Sequence, residues 1–341
     1  MRRTAVWLLI IGVGFGGWFF SGSHPFHFQI ALLSAHFNES ETPTVRGIST
    51  VSREDPVIFE SRHNAVQFVP QRKPNTRNLA VPNAHAAVIM DVDSGKILYA
   101  QNADEERQIA SLTKLMTALI TVEQVKNLNE LVTIDEEEVY APGTRVGCPR
   151  SGFCNGNRLQ IGEQLTVYNL LKAALMNSAN DSAIALGKHL GGTQNGFAKI
   201  MNTKAKEMGL EHTNFCTPSG LEPDGRETEC YSSAADVARI VSEALKHDIL
   251  WQIMRMPDAT ITSADGKESH NIFNTDMLLG QVQGLIGTKT GFTPLAGYSL
   301  LAAVYDPSQK HRVAVVVLDD SQRWQDIQTM LSWTMSNHTW E

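Results

Sequence analysis

Three short polar motifs interrupt apolar segments of this chain in a fixed order between Ala110 and Gly291, and a fold that lets them act together is tightly constrained. Ala110-Ser111-Leu112-Thr113-Lys114 comes first, Asn177-Ser178-Ala179-Asn180-Asp181 second, and Gly287-Thr288-Lys289-Thr290-Gly291 last. Ser111 and Lys114 are one helical turn apart, so a helix puts hydroxyl and amine on one face. Ser178 and Asn180 offer a second hydroxyl and an amide. Lys289 and Thr290 offer a cation and a hydroxyl, beside Gly291, where a ligand can come close to the backbone. Each motif alone reads as a solvated helix face, a polar loop or a strand end. Only the agreement of order, spacing and context makes a set of them.

The context agrees. Neither Pro nor Gly occurs from Ser111 to Val125, and Leu112, Leu115, Met116, Leu119 and Ile120 recur at helical spacing. Ser111 is therefore expected at or near a helix N-terminus, whose N–H groups stabilise an oxyanion. Apolar neighbours would bury Lys114 and lower its pKa, as a general base requires. Thr166 is expected to cap a helix with Val167, Leu170, Leu171, Ala174 and Leu175 as its buried stripe. A second helix, Ser182 to Leu190, ends at Gly191-Gly192. Ser178 and Asn180 fall between these two. Leu285 to Thr290 reads as a strand, followed by strands Gly297 to Tyr305 and His311 to Leu318 around the turn Asp306 to Lys310. Val88 to Met90 and Lys96 to Ala100 read as a hairpin around Asp93-Ser94-Gly95. The strands predict one antiparallel sheet of about five strands. The last helix, Gln322 to about Asn337, carries Ile327, Met330, Leu331 and Met335 on one face and should pack on it. The helical region from Ser111 to about Leu250 would form a second layer, with the site between. The pattern alone gives an α+β fold. The three motifs together suit acyl transfer through a serine activated by lysine: an attacker, preorganised donors and a proton for the departing amine.

The chain resembles the low-molecular-mass penicillin-binding proteins of the D-alanyl-D-alanine carboxypeptidase family. The resemblance runs from about Ala86 to Asn337 and rests on Ala110-Ser111-Leu112-Thr113-Lys114-Leu115-Met116-Thr117, Ser178-Ala179-Asn180-Asp181, Pro218-Ser219-Gly220-Leu221, and Lys289-Thr290-Gly291-Phe292-Thr293 with Ala296-Gly297-Tyr298. Ala179 stands where the Ser-Asp-Asn form of the second motif has Asp. The resemblance implies a transpeptidase/β-lactamase-like α+β fold, a five-stranded antiparallel sheet with a mainly helical subdomain. It makes Ser111 the nucleophile, Lys114 its general base, and Ser178 the relay of a proton to the leaving amine. Asn180 would hydrogen-bond the substrate backbone. Lys289 and Thr290 would bind the terminal carboxylate of D-Ala-D-Ala, which β-lactams mimic as covalent inhibitors. The N–H groups of Ser111 and Phe292 would form the oxyanion hole. Arg323 matches, by position, an arginine that supports carboxylate recognition; a surface arginine at a helix start is the other reading.

The leading function implied is a serine D,D-carboxypeptidase that removes the terminal D-Ala from peptidoglycan stem pentapeptides. A D,D-endopeptidase cutting cross-links uses the same acyl-enzyme, so the motifs do not separate the two. A class A β-lactamase lacks support, since no Glu-x-x-Leu-Asn block is found. A non-catalytic wall-binding scaffold would require a broken motif. No metal or other cofactor is needed by this chemistry. The eleven histidines show no ligand-like spacing and read as scattered surface and core residues. A net charge of −7 and the lack of a basic stripe or phosphate-binding glycine loop exclude an evident nucleic-acid partner.

Residues 1–23 read as a signal peptide or a retained signal anchor. Arg2 and Arg3 precede an apolar run from Ala5 to Phe20, which as a helix would be roughly 24 Å long. Residues 24–79 read as a flexible linker, rich in polar residues and Pro, and 80–341 as the catalytic domain. These features predict an exported protein on the periplasmic or cell-wall side, attached to the inner membrane if the segment is uncleaved. Relatives often add a C-terminal β-rich domain and an amphipathic membrane helix; with Glu341 directly after the last helix, attachment is expected at the N-terminal end. Four cysteines suit an oxidising compartment. Short loops favour the pairs Cys148–Cys154 and Cys216–Cys230 among three connectivities. A zinc site is the alternative, though the spacings are not finger-like.

Overall fold

The computed structural model describes residues 68–148, Cys154 and 157–340. The apolar run at Ala5 to Phe20, most of the expected linker and the loop Pro149 to Phe153 lie outside the described residues. Among the described residues no helix is long and apolar enough to cross a membrane.

The chain enters through a short strand, β1 (Gln71–Arg72), then forms β2 (Ala84–Asp91) and β3 (Ile97–Gln101). A 3-10 turn, Ala110–Thr113, leads into α1 (Lys114–Gln124). The helical half follows: β4 (Leu131–Thr133), α2 (Glu136–Val139), β5 (Gln164–Thr166), α3 (Val167–Met176), α4 (Asn180–Gly191), α5 (Gln194–Glu207), α6 (Ala234–Ala244) and α7 (Asp248–Met254). Two hairpin strands, β6 (Asp258–Thr262) and β7 (Ser269–Phe273), precede β8 (Leu285–Thr293), β9 (Gly297–Tyr305) and β10 (Arg312–Asp320). Helix α8 (Arg323–Asn337) and β11 (His338–Thr339) close the described chain.

The expected five-stranded sheet has the order β3-β2-β10-β9-β8, with every neighbour antiparallel. Side chains alternate across a strand, so each strand feeds two cores. Ala86, Val88, Leu301, Ala314 and Val316 face the helical layer with Leu115, Leu119, Leu170 and Val241. Ala87, Ile89, Leu300, Val315 and Val317 face α8 through Ile327, Met330 and Leu331. Both faces are covered, which explains the near-continuous apolar runs of β9 and β10. Truncating one of these buried leucines to alanine costs about 2–5 kcal/mol.

Thr166 caps α3 as the sequence indicates, its side chain accepting from Asn169 N. Two boundaries move. The helix expected from Ser111 begins at Lys114, behind the 3-10 turn, because Ala110 adopts a left-handed φ of 48°. The helix expected from Ser182 begins at Asn180. The linker boundary is also corrected, for residues 68–79 are part of the folded body. Strand β1 pairs with β11, Lys96 Nζ donates to Pro70 O at 2.7 Å and Trp333 Nε1 donates to Arg77 O at 2.8 Å. Polar composition suggested a free segment; backbone pairing at the chain's own end, invisible to composition, holds it.

Candidate active site

The three motifs converge where the helical half meets the β8 edge of the sheet. Ser111 sits in the 3-10 turn, and that turn is wedged from two sides. A Cβ on Gly220 would lie 2.0 Å from Ala110 O, and Gly220 also has φ +79°. A Cβ on Gly291 would lie 2.8 Å from Ile109 O, so glycine is needed here by the protein's own backbone. Ser178 turns the chain between α3 and α4 with a left-handed φ of 59°. Such conformations in non-glycine residues cost energy and persist where the surroundings over-determine them.

Lys114 is completely buried. Its Nζ lies 2.8 Å from Ser111 Oγ, 2.7 Å from Asn180 Oδ1 and 2.7 Å from Ser219 O. Burial holds its pKa well below the ordinary lysine value; the charge of Lys289 pushes the same way and Asp181 opposes it. A neutral amine has two N–H donors and one lone pair. The two fixed carbonyl oxygens, of Asn180 and Ser219, take the donors and leave the lone pair for the Ser111 hydroxyl. The arrangement can draw a proton from Ser111.

Lys289, equally buried on β8, donates to Ser178 Oγ at 2.9 Å and to Thr290 O at 3.0 Å. Burial, then the charge of Arg323, lowers its pKa to about 7. Thr290 Oγ1 is 2.9 Å from Thr275 Oγ1. Arg323, the first residue of α8, donates from Nη1 to Gly291 O at 2.8 Å and Ser299 O at 3.1 Å. Its guanidinium lies 5.1 Å from the Tyr298 ring and 5.2 Å from the Trp324 ring. These contacts set Arg323 into the wall of the site rather than on an open helix start. Ser111, Ser178, Thr290, Gly291, Phe292 and Arg323 share a cleft of about 430 Å³ with Thr144, Thr275, Met277 and Trp324.

Asn180, expected to hydrogen-bond the substrate backbone, is engaged at both ends of its amide within the protein. Its Nδ2 donates to Pro142 O at 2.7 Å while its Oδ1 accepts from Lys114, so here the amide ties Lys114 to the 142–148 segment. Asp181, buried beneath, accepts from Val146 N at 2.9 Å, and burial raises its pKa to about 6. Residue reasoning missed the Ser219 carbonyl, Thr275 and Trp324. Only Ser219 carried a signal, within Pro218-Ser219-Gly220-Leu221, and a backbone carbonyl has no residue preference to betray it.

The cysteines form the expected pairs, Cys148–Cys154 and Cys216–Cys230. His270 is a core histidine, 2.7 Å from Glu163 Oε1 and 2.9 Å from Asn157 O. Among the described residues, Asp135, Glu137 and Glu138 cluster like metal ligands, but Lys188 Nζ already sits among them, 2.9 Å from Glu137 and 3.0 Å from Glu138.

The family profile Peptidase S11, D-alanyl-D-alanine carboxypeptidase, matches residues 73–322. The chain is 32% identical over 240 residues to D-alanyl-D-alanine carboxypeptidase DacF of Bacillus subtilis, covering 69% of this chain and 57% of that protein. It is 31% identical over 235 residues to a D-alanyl-D-alanine endopeptidase of Pseudomonas aeruginosa, covering 69% of this chain and 70% of that one. Against DacF and DacC of Escherichia coli it spans 57% and 61% of their lengths. The crystal structure of penicillin-binding protein D2 from Listeria monocytogenes, in its ampicillin-bound form, superposes with a TM-score of 0.64 at 32% identity, covering 76% of this chain and 99% of that one. With its three motifs gathered in one cleft and this profile spanning sheet and helical half alike, the chain belongs to the peptidase S11 family of D-alanyl-D-alanine carboxypeptidases.

Proposed function

We propose that this protein is a serine D,D-carboxypeptidase that releases the terminal D-Ala of peptidoglycan stem pentapeptides. The observation that carries the reading is the Lys114 amine, buried and 2.8 Å from Ser111 Oγ, with its other donors already committed. Lys114 takes the Ser111 proton as Oγ attacks the carbonyl carbon of the penultimate D-Ala. The N–H groups of Ser111 and Phe292 receive the oxyanion. Ser178 passes a proton to the departing amine; the C–N bond breaks and free D-Ala leaves. Water then attacks the ester and restores Ser111. Lys289 and Thr290 bind the substrate carboxylate, and Arg323 supports that end of the site. β-Lactams would acylate Ser111 by the same route, with ampicillin bound to the Listeria protein as the parallel. The wall-side, exported location follows from this substrate and from Arg2, Arg3 and the apolar run behind them.

A second reading is D,D-endopeptidase activity on cross-links. It is favoured by kinship: D-alanyl-D-alanine endopeptidases of Pseudomonas aeruginosa and Escherichia coli are 31% and 28% identical to this chain. Intact-mass analysis after incubation with benzylpenicillin and, separately, with purified muropeptides tests both. An adduct on Ser111 with loss of D-Ala from monomeric pentapeptides supports the carboxypeptidase. An adduct with cleavage of cross-linked dimers alone moves the assignment to the endopeptidase. Neither adduct nor cleavage overturns both.

A further inference from the structure

Thr290 carries the hydroxyl assigned to the substrate carboxylate, and Thr275 Oγ1 lies 2.9 Å from it. Among the described residues neither hydroxyl has another hydrogen-bond partner, and both residues line the catalytic cleft. Thr275 belongs to the segment between β7 and β8, and that segment is pinned at each step. Asn274 Nδ2 donates to Met254 O and Met256 O, each at 2.8 Å, at and just past the end of α7. Asn274 N donates to Pro257 O at 2.8 Å, and Asn274 Oδ1 accepts from Asp276 N at 2.9 Å. Asp276 Oδ1 in turn accepts from Leu278 N at 2.7 Å. Thr275 N donates at 3.0 Å to the carbonyl of Met176, the last residue of α3, just ahead of Ser178. Backbone contacts with the helical half therefore set the Thr275 hydroxyl against β8, whatever its own side chain does.

A hydroxyl has one proton to donate, and an ionised carboxylate has none. Two hydroxyls in contact hold two protons, and their mutual bond takes one of them, whichever donates. The other faces the cleft. When a carboxylate accepts the Thr290 proton, only lone pairs remain on Thr290 Oγ1 for Thr275, so Thr275 is the donor. The chain from Thr275 through Thr290 to the carboxylate then runs one way, and each bond polarises the next. We propose that Thr275 is a positioning residue for recognition of the substrate carboxylate: its hydroxyl donates to Thr290 Oγ1 and so turns the Thr290 proton toward the carboxylate. The inference rests on the acyl-enzyme reading above. Thr275 acts on the carboxylate through Thr290.

The test follows acylation of Ser111 by benzylpenicillin and by its methyl ester, whose capped carboxylate carries no charge. Wild type, Thr275→Val, Thr275→Ser, Thr290→Val and the double valine variant are compared, all as full chains. Valine keeps the shape of Thr275 and its backbone bond to Met176 O and loses the hydroxyl. For benzylpenicillin, Thr275→Val is expected to raise the half-saturating concentration about three- to tenfold, the worth of one hydrogen bond, with the limiting acylation rate held. For the ester it should change neither. Thr275→Ser should match wild type. In Thr290→Val the partner hydroxyl is gone, so adding Thr275→Val should cost nothing further. Equal losses on acid and ester, a fall in the limiting rate alone, full additivity of the two valines, or no effect of Thr275→Val overturns the proposal. Should valine prevent folding, Thr275→Ala takes its place in every comparison. Wild type that takes up no benzylpenicillin overturns the proposed function and this inference with it. Wild type that is acylated, but half-saturates alike with acid and ester, keeps the acyl-enzyme and removes the carboxylate role from Thr290 and Thr275 together.

Discussion

The helical half and the sheet each bury one lysine in this site, and the two are held in opposite ways. Lys114 has hydrogen-bond partners from three separate segments, the 3-10 turn, α4 and the 217–221 loop. Lys289 has two acceptors, one of them the carbonyl of its own neighbour on β8, and it looks toward the charge of Arg323. Both are stripped of water. Lys114 is held well below the ordinary lysine pKa, while Lys289 is lowered to about 7. Burial and the charge of Lys289 favour the neutral amine at Lys114, with a lone pair to offer. Lys289 can still carry charge, and a bound carboxylate would draw it back to the ammonium. Burial alone does not make a base. The arrangement of neutral acceptors and neighbouring charges decides whether a buried lysine takes protons or binds anions.

The sharpest way to break this contrast is Lys114→Met. If Lys114 alone is the base, benzylpenicillin acylation of Ser111 should fall by about 10²- to 10⁴-fold, the worth of general-base catalysis, measured by stopped-flow or intact mass. Lys289→Met should leave acylation chemistry available but lose recognition. For a peptide ending in a free carboxylate, kcat/KM should fall about 10- to 100-fold, the worth of one charge-assisted hydrogen bond. For the same peptide as its amide it should hardly change. Equal losses on both substrates would place Lys289 in the proton path and dissolve the distinction.

Much of this site can be read from residue order. Ser111, Lys114, Ser178, Asn180, Lys289 and Thr290 are identifiable because side chains carry their chemistry, and Thr166 because capping is local. The 3-10 turn is not legible, since alanine has no preference for the left-handed conformation that Ala110 adopts; its neighbours Gly220 and Gly291 impose it. Asn180 as a partner of Lys114, the Ser219 carbonyl and the pairing of β1 with β11 are long-range contacts with no local pattern. What the chain hides is how the groups are aimed.

Stability against pH sharpens the contrast from another side. A lysine whose folded pKa is depressed holds fewer protons in the native state than in the unfolded state between the two values. Stability then rises with pH across that window. For Lys289 the window runs from about 7 to the ordinary lysine value of 10.5 and is worth up to about 5 kcal/mol, at about 1.4 kcal/mol per unit. Lys289→Met should flatten the rise in denaturation midpoint over this range. A slope unchanged in the variant would assign it to Lys114 and the other lysines.

The smallest effect belongs to Arg323, and two substitutions separate its charge from its shape. Arg323→Gln removes the cation that helps depress Lys289, so the Lys289 titration should move upward, by less than burial moves it down. It also weakens the donors to Gly291 O and Ser299 O that tie α8 to β8 and β9. Arg323→Lys keeps the charge but not the planar fork or the packing between Tyr298 and Trp324. Lysine should preserve the Lys289 titration while raising KM about fivefold, near the worth of one neutral hydrogen bond. Glutamine should disturb both. If lysine at this position shifts the titration as far as glutamine does, then geometry rather than charge sets Lys289, and the electrostatic half of the contrast is lost while the hydrogen-bonded half stands.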